Sequence, residues 1–314
     1  MSLRVSAKIP ATSANLGPGF DCMGLAVDLF NHFSITTDAK FHIGVTGVAA
    51  GQVSTEHDNL LVQAAALLLR QQDSDIDINR WNITIDTRIP SASGLGSSAS
   101  AIAAGMLLAN EILGLQEPSK KLSRMEVVHL ATEMEGHPDN VTPALLGGAW
   151  LALYRGHRLQ TFSMSLPPDL TFVVATPAVQ VPTDESRKSL SDLVPRADAV
   201  YSVAQGARLA LALERGNLKL LEDDFGDLLH EPARLGAVPY YNDVVASARR
   251  AGAACATLSG SGPTLLLWCE HPEAARQVRT AVMQVWRDRQ VDCAVTVRFP
   301  WRAITEVKVE EATL

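Results

Sequence analysis

The sequence is poor in cysteine, and the four cysteines that it has form no paired motif. They lie far apart, at Cys22, Cys255, Cys269 and Cys293, and no Cys-x-x-Cys pair occurs among them. This spacing argues against a structural zinc site, whose ligands come in closely spaced pairs. It also argues against a disulfide framework, so we expect four reduced thiols.

Clustered positive charge is missing as well. The chain has 27 Lys and Arg against 34 Asp and Glu, a formal net charge of -7, and no long basic run occurs. Binding to the phosphate backbone of a nucleic acid needs clustered Lys and Arg, so we expect no nucleic-acid partner. Small-molecule partners are expected instead. A bound polyphosphate would need a cation or local arginines against this acidic background.

Long apolar runs also are scarce, and the sequence suggests no stretch of membrane-spanning length. Residues 1–5 lack the apolar core of a signal peptide. We therefore expect no membrane partner and a cytoplasmic location.

The most informative stretch that is present covers residues 90–100, with the sequence PSASGLGSSAS. Alternation over residues 81–87 predicts a half-buried strand before it, and an apolar pattern over residues 98–113 predicts a buried helix after it. A loop rich in glycine and serine can surround an anion with backbone N–H groups. The helix that follows points the positive end of its dipole at the same place. The stretch therefore predicts a phosphate-binding loop and a nucleotide ligand.

Other interpretations of this loop can be compared with the residues. A Walker A loop needs a Lys after its last Gly, but Ser97 follows Gly96, which excludes the standard P-loop. The pattern Gly94-x-Gly96-x-x-Ala99 fits a dinucleotide fingerprint, but the nearest acidic residue, Glu111, still lies within the helical pattern. An ordinary turn would need fewer glycines and serines. On the residues alone, these last two interpretations stay open.

The remaining patterns predict alternating strands and helices in both halves of the chain. The expected strands cover residues 3–9, 145–153, 170–175, 253–257, 265–269 and 293–299. The expected helices cover residues 59–70, 123–134, 196–214, 217–230 and 272–288.

Glycine and proline set the expected limits of these elements. Residues 10–21 are expected to form a turn-rich segment, and Gly114 is expected to end the helix after the glycine loop. Two prolines make a helix through residues 136–143 improbable. The alternation predicts an α/β or α+β architecture, with a domain boundary within residues 155–168.

Three motifs, in order along the chain, carry a resemblance to a known family. Residues 90–99 resemble the phosphate-binding loop of the GHMP kinases, the superfamily of galactokinase, homoserine kinase, mevalonate kinase and phosphomevalonate kinase. Residues 10–21 (PATSANLGPGFD) resemble its N-terminal substrate motif, and residues 259–264 (SGSGPT) resemble its C-terminal glycine motif. Within the superfamily the chain is most similar to the homoserine kinases, through residues 10–21, 135–141 (EGHPDNV) and 230–234 (HEPAR). This similarity covers nearly the whole chain.

The resemblance implies an α+β, two-domain GHMP kinase fold. Residues 1–160 would form a ribosomal S5 domain 2-like N-terminal domain that carries the phosphate loop. Residues 161–314 would form a ferredoxin-like C-terminal domain, with the site in the cleft between the two. The loop at residues 259–264 would then face the phosphate loop.

The resemblance also implies ATP and Mg²⁺ as cofactors and names their ligands. Ser98 and Glu135 would bind the magnesium ion, with Glu133 as the fallback carboxylate, since magnesium takes one or two carboxylates beside phosphate oxygens. Asn59 is either a nucleotide contact or simply a helix N-cap. The implied ATP-binding residues are Pro90, Ser91, Ala92, Ser93, Gly94, Leu95, Gly96, Ser97, Ser98 and Asn59.

The implied acceptor, L-homoserine, is a zwitterion with a side-chain hydroxyl. Its carboxylate calls for arginine, and the resemblance assigns Arg187 and Arg234 to it. Its ammonium calls for acceptors, which Asn15 and Asp21 would supply. His137 matches a further substrate-contacting position.

Asn140 stands where many superfamily members have an aspartate that takes the acceptor proton, and the homoserine kinases resemble this chain in having asparagine there. Asparagine cannot act as a base, so we expect Asn140 to act by positioning, together with Ser98 and Glu135. The hydroxyl would then attack directly, and its proton would pass to phosphate or solvent. Asp139 is the rival candidate for the base.

The expected function is ATP-dependent phosphorylation of the side-chain hydroxyl of L-homoserine to O-phospho-L-homoserine, on the pathway to threonine. Two alternatives stay open: a GHMP kinase for another small alcohol, and a non-catalytic small-molecule sensor on the same fold. The presence of Gly94, Gly96, Ser98 and Glu135 favours an enzyme. Because members of the family are often dimers, the resemblance adds a homodimer to the expected assemblies.

Overall fold

The structure, a computed structural model, describes residues 2–181 and 183–312, with the side chains of residues 183–185 left out. The elements of the first half, in chain order, are β1 (Leu3–Ala14), β2 (Met23–Thr36), β3 (His42–Gly47), α1 (Leu60–Gln71), β4 (Asn82–Thr87), α2 (Ser97–Gln116), α3 (Arg124–Glu135), α4 (Pro138–Leu146), β5 (Ala149–Arg155) and β6 (Arg158–Met164). Those of the second half are β7 (Thr171–Pro177), α5 (Thr183–Lys188), α6 (Arg196–Glu214), α7 (Glu231–Arg234), α8 (Tyr241–Arg250), β8 (Cys255–Leu258), β9 (Leu265–Cys269), α9 (Pro272–Asp288), β10 (Cys293–Arg298) and β11 (Val307–Glu311).

The first sheet has seven strands, with the path β11-β1-β2-β4-β3 and a branch in which β5 pairs with β2 and with β6. Alternate residues of β1, β2 and β4, such as Ile9, Ile35 and Ile83, face a core formed with α1, α2, α3 and α4. α2 is the central helix of this core because alanine, leucine and methionine surround its axis and are buried.

Among the described residues, α2 is the one helix with the length and hydropathy of a membrane span, and 72% of its apolar window is buried in the protein. By length and composition alone, the expectation that no apolar run reaches spanning length was therefore wrong. Because most of α2 is buried within the protein, it is a core helix.

The second sheet is antiparallel, with the strand order β10-β7-β9-β8. Counted within this domain, that order is 4-1-3-2, the order of a ferredoxin-like sheet. α8 and α9 cover one face, where Trp286 is fully buried. The other face, through Phe172 and Trp268, packs on α6 and on Leu25 of the first sheet. The predicted α+β architecture, with a ferredoxin-like sheet in the second half, is confirmed.

The sheets do not follow the expected division at residue 160 in two places. β6 continues to Met164 as part of the first sheet, and β11 returns from the end of the chain to pair with β1. Before β11, the backbone of Trp301 pairs with Ala26 of β2. The last segment of the chain therefore pairs with the N-terminal sheet, and the boundary at residue 160 stays a prediction.

Several predicted limits were wrong. Residues 136–143 do not form a loop, because Pro138 starts α4 at a position where its missing N–H costs nothing. Pro143 lies inside this helix and leaves the carbonyl oxygen of Asp139 without its usual helical donor. Gly24 of β2 lies against that oxygen, so closely that a Cβ there would be 1.7 Å from it.

Three other segments also differ from expectation. α2 continues past Gly114, where a Cβ would collide with the Lys121 side chain, so this glycine serves packing rather than termination. β1 continues to Ala14, so the expected turn of residues 10–21 begins only at Asn15.

Residues 217–230 form no long helix. The Asp227 carboxylate accepts the backbone N–H groups of Leu229, His230 and Glu231, which competes with helical hydrogen bonding.

Candidate active site

The phosphate loop leads from β4 into α2, as predicted, and its two glycines are sterically required. Gly94 and Gly96 have φ values of +82° and +69°, which favour glycine. A Cβ on Gly94 would lie 2.1 Å from the carbonyl oxygen of Ser259, and one on Gly96 would lie 2.0 Å from Thr12 Oγ1. Any side chain at either position would therefore displace the loop.

The first turn of α2 presents backbone N–H groups to this loop. Gly96 is the N-cap and provides no side-chain acceptor for them. The loop carbonyls point elsewhere: Leu95 O accepts from Thr12 N at 3.1 Å, and Gly94 O accepts from Ser259 Oγ at 2.8 Å. The open N–H groups and the helix dipole together form a site for an anion.

The glycine loop at residues 259–264 faces the phosphate loop, as expected. Besides the contact from Ser259, the backbone N–H of Thr264 donates to Ser93 O at 3.3 Å. Gly260 N donates to Ala14 O at 3.1 Å. These hydrogen bonds fix the position of the phosphate loop against the second domain.

Two cavities flank the phosphate loop. The first, called the outer cavity here, measures about 260 Å³ and is lined by Asn59, Ser54, Phe33 and Ile85 together with Ser91 of the loop. The second, the inner cavity, measures about 100 Å³ and is lined by Ser93, Gly94 and Gly96, among others. Ala92, Ser97 and Ser98 line both, so the loop forms the passage between them.

Most of the predicted site residues meet in the inner cavity. It brings together Asn15, Asp21, Ser98, Glu135, His137, Asn140, Arg187 and Arg234. Pro90 and Leu95 line neither cavity; Pro90 O accepts a hydrogen bond from Ser93 Oγ, and Leu95 is buried. These two residues therefore support the backbone of the loop on the side away from the cavities.

Asn59 has the predicted role of a helix N-cap, and its contact with a nucleotide stays a prediction. Its Oδ1 accepts from Leu61 N at 2.9 Å and so caps α1, while its Nδ2 donates to Ser54 O. It is buried and lines the outer cavity. Because both ends of the amide are already bonded, Asn59 forms a wall of this cavity.

Glu135 and Ser98 offer oxygen donors of the kind that a magnesium ion takes. Both line the inner cavity beside the phosphate loop, and Ser98 is exposed to it. Burial raises the pKa of the Glu135 carboxyl, and a cation bound there would counter this cost. Oxygen ligands of this kind are those that Mg²⁺ prefers. Glu133 contacts His157 on the surface instead and does not line the cavity.

His137 and Asp139 form a close pair at the start of α4. His137 Nδ1 donates to Asp139 Oδ1 at 2.6 Å, and Asp139 is buried. Although burial opposes the charge of His137, the hydrogen bond and charge of Asp139 raise its pKa to about 9. Asp21, His137 and Asp139 bring ligand atoms within 4.8 Å of one another, but a protonated imidazole has no lone pair for a metal.

Asn140 is held by a residue of β1. Thr12 Oγ1 donates to Asn140 Oδ1 at 2.8 Å, beside the point where Gly96 passes. This bond fixes the amide so that its N–H₂ group points away from Thr12. The geometry suits a positioning group.

The turn after β1 places Asp21 opposite Arg187 of α5. Asn15 organises this turn, since its Oδ1 accepts from Asp21 N at 3.0 Å and its Nδ2 donates to Gly260 O at 2.9 Å. Asn15 lines the inner cavity, and its Oδ1 keeps a second lone pair, so its predicted contact with an ammonium group stays a prediction. Both carboxylate oxygens of Asp21 accept from Arg187, at 2.7 and 3.0 Å.

Arg234 lies beside this pair in the same cavity. Both guanidinium groups make cation–π contacts with the ring of Phe20. The Cζ atom of Arg187 lies 5.7 Å and that of Arg234 lies 5.4 Å from the ring centroid. Burial, and then the positive charge of Arg187, lowers the pKa of Arg234. Two cations that repel each other over one ring form a site that an anion would stabilise.

Phe20 and His230 were not singled out from the sequence. His230 is buried, stacks on Phe20 and contacts Arg234 Nη1 through Nδ1 at 3.1 Å. Both lie inside strings that carry the resemblance, GPGFD and HEPAR. Nothing in residue spacing alone shows that positions 20 and 230 meet.

Comparison with known proteins agrees with this geometry. Residues 59–148 match the GHMP kinases N terminal domain, and residues 209–288 match the GHMP kinases C terminal domain. The homoserine kinase of Crocosphaera subtropica is 39% identical over 293 residues, which are 91% of this chain and 92% of that protein. The homoserine kinase of Synechococcus sp. is 38% identical over 316 residues, with 99% of each chain covered.

A solved structure supports the same assignment. The crystal structure of homoserine kinase from Cytophaga hutchinsonii superposes with a TM-score of 0.85 at 27% identity, covering 98% of this chain and 97% of that one. The family predicted from the three sequence motifs is thereby confirmed. The chain belongs to the homoserine kinases of the GHMP kinase superfamily.

Proposed function

We propose that this protein transfers the γ-phosphoryl group of ATP to the side-chain hydroxyl of L-homoserine, which gives O-phospho-L-homoserine and ADP. The observation that carries the proposal is the pair of guanidinium groups, Arg187 and Arg234, over the ring of Phe20 in the cavity that contains the phosphate loop. A phosphate cradle alone would serve any kinase. The arginine pair adds a place for an acceptor that carries a carboxylate.

The arrangement of the two cavities supports a division of ATP between them. The outer cavity, with apolar walls from Phe33 and Ile85, suits the adenine ring. The triphosphate would pass over Ser97 and Ser98, which line both cavities, and reach the N–H groups of α2. The γ-phosphate would then lie in the inner cavity, close to the acceptor.

The ion pair between Asp21 and Arg187 indicates how the carboxylate of the acceptor would bind. In this pair a carboxylate of the protein accepts both N–H groups of the Arg187 fork, as an amino-acid carboxylate would. An incoming substrate carboxylate would take the place of Asp21 between Arg187 and Arg234. Asp21, released from the pair, would then accept from the substrate ammonium group.

Glu135 and Ser98 would hold Mg²⁺, which in this chemistry neutralises charge on the β- and γ-phosphate oxygens. His137, as an imidazolium beside Asp139, adds a positive charge to the same cavity. Asn140, anchored by Thr12, positions the reacting groups. Because Asp139 is the acceptor for His137, we assign no base: the hydroxyl attacks directly, and its proton passes to phosphate or solvent.

The test is ADP release with ATP and Mg²⁺ and a panel of acceptors: L-homoserine, D-homoserine, mevalonate and buffer. The proposal expects turnover with L-homoserine only. Turnover with mevalonate alone would indicate a GHMP kinase for another alcohol. Binding of both ligands without turnover would indicate a sensor. The cytoplasmic location and the homodimer stay predictions.

A further inference from the structure

His230 lies completely buried between Gly17 and Arg234. Its Nε2 is 2.9 Å from Gly17 O, and its Nδ1 is 3.1 Å from Arg234 Nη1. A carbonyl only accepts and a guanidinium only donates, so Nε2 must carry the proton and Nδ1 must offer a lone pair. The two contacts together select the neutral Nε2–H tautomer. Burial also lowers the pKa of His230, in agreement with this state.

The surroundings leave this imidazole little freedom. Its ring stacks on Phe20, with centroids 5.0 Å apart and an interplanar angle of 19°. Its backbone N–H donates to Asp227 Oδ2 at 2.7 Å, and that carboxylate also lies 3.7 Å from Nε2. The charged groups that act on it are Asp227, Arg234 and, more weakly, Asp21. The ring is therefore fixed in its plane.

Nη1 of Arg234 contacts both His230 Nδ1, at 3.1 Å, and the carbonyl oxygen of Gly260, at 3.5 Å. Nη1 of Arg234 donates to His230, while its Nε is buried without a hydrogen-bond partner among the described residues. An unpaired buried donor is costly unless a ligand completes it. We propose that His230 is a positioning residue that turns the free donors of Arg234 toward the acceptor carboxylate and so sets the preference for a carboxylate-bearing acceptor. This inference rests on the proposed function.

Two substitutions of His230 separate this role from packing. Asparagine places an acceptor where Nδ1 lies, and so keeps the bond from Arg234 while losing the bond to Gly17. Glutamine places a donor near Nε2, and so keeps the bond to Gly17 while losing the one from Arg234. We expect His230→Gln to raise the KM for L-homoserine about tenfold or more and His230→Asn about threefold or less. The KM for ATP should stay unchanged in both.

A second acceptor makes the test specific. The carboxamide of L-homoserine lacks the charge that Arg234 binds, so wild-type protein should prefer homoserine strongly. The KM ratio between the two acceptors should shrink in His230→Gln and persist in His230→Asn. An equal KM for both acceptors in the wild type would contradict the proposed function itself. Equal KM losses in the two variants, or a parallel rise in the KM for ATP, would overturn the role of His230. His230→Ala replaces His230→Gln should the latter not fold.

Discussion

In the phosphate loop the binding groups are backbone N–H groups, whereas on the acceptor side of the inner cavity they are side chains. The loop depends on Gly94 and Gly96, which admit no other residue, and on a helix whose dipole is fixed. The acceptor side depends on an ion pair, Asp21 with Arg187, that must exchange partners when substrate binds. The first region is rigid and general for phosphates, while the second is adjustable and selective.

The largest effect should follow from breaking the rigid region. Gly94→Ala places a methyl group against the carbonyl oxygen of Ser259 and displaces the loop. We expect kcat/KM for ATP to fall about 10³-fold. Gly156→Ala is the matched control, since Gly156 also has a positive φ, +56°, but meets nothing within 4 Å. Steady-state kinetics and thermal unfolding of both variants check this. A Gly94→Ala variant with more than half of the normal activity would contradict it.

The next effect concerns the cation at the border of the two regions. Glu135→Gln removes the carboxylate that lines the inner cavity, and we expect kcat to fall about 100-fold and the Mg²⁺ requirement to rise. Glu133→Gln, two residues away and paired with His157, should stay within about twofold of wild type because this glutamate does not face the cavity. Magnesium titrations of the initial rate measure both. A larger loss of kcat in Glu133→Gln than in Glu135→Gln would assign the metal to Glu133.

A smaller effect is expected in the adjustable region. Arg187→Gln removes one of the two guanidinium groups, so the KM for L-homoserine should rise about 30-fold, with the KM for ATP unchanged. Lys188→Gln, at the exposed neighbouring position, should change neither. Initial rates with each substrate varied in turn measure the two KM values separately. A parallel rise in both KM values would show that the two regions are not separate.

The effect of Asp139→Asn should be smaller again. Asp139 serves as the acceptor for His137, and asparagine can still accept that hydrogen bond. We expect less than a tenfold loss of kcat if the hydroxyl attacks without a base. A loss of about 10³-fold or more would make Asp139 the base. Single-turnover rates at saturating substrates distinguish these results.

The last effect changes stability with pH while leaving catalysis at its optimum unchanged. Burial raises the pKa of the Glu231 carboxyl from 4.5 to about 8, while its Oε1 accepts from Leu258 N at 2.7 Å. Between these values the folded state holds more protons than the unfolded state, so stability falls as pH rises from about 5 to 8. Glu231→Gln should remove this dependence, which is at most about 1.4 kcal/mol per pH unit. Denaturant unfolding of the wild type and of Glu231→Gln at pH 5 and pH 8 measures this dependence. The same change in the free energy of unfolding between the two pH values in both proteins would contradict the prediction.

The sequence could predict the rigid region because its chemistry is local. Glycines at 94 and 96, between a strand pattern and a helix pattern, reveal the cradle without knowledge of the rest of the chain. The helices at 196–214 and 272–288 also agree with their predicted limits. Where side chains compete with the backbone, as at Asp227, propensity was a poor guide.

The adjustable region could be predicted only through resemblance. Arg187 and Asp21 are 166 residues apart, and Arg234 reaches the same ring of Phe20 from a different domain. Nor does residue type show that the amide of Asn15 bonds both to Asp21 and to Gly260, 245 residues away. Contacts of this kind depend on tertiary packing.

The most direct measurement is a crystal structure of the protein with a non-hydrolysable ATP analogue, Mg²⁺ and L-homoserine. We expect phosphate oxygens within hydrogen-bond distance of the N–H groups at the start of α2. We also expect the amino-acid carboxylate between Arg187 and Arg234, with the ion pair of Asp21 and Arg187 opened. Phosphates bound away from α2, or a carboxylate that contacts neither arginine, would contradict it.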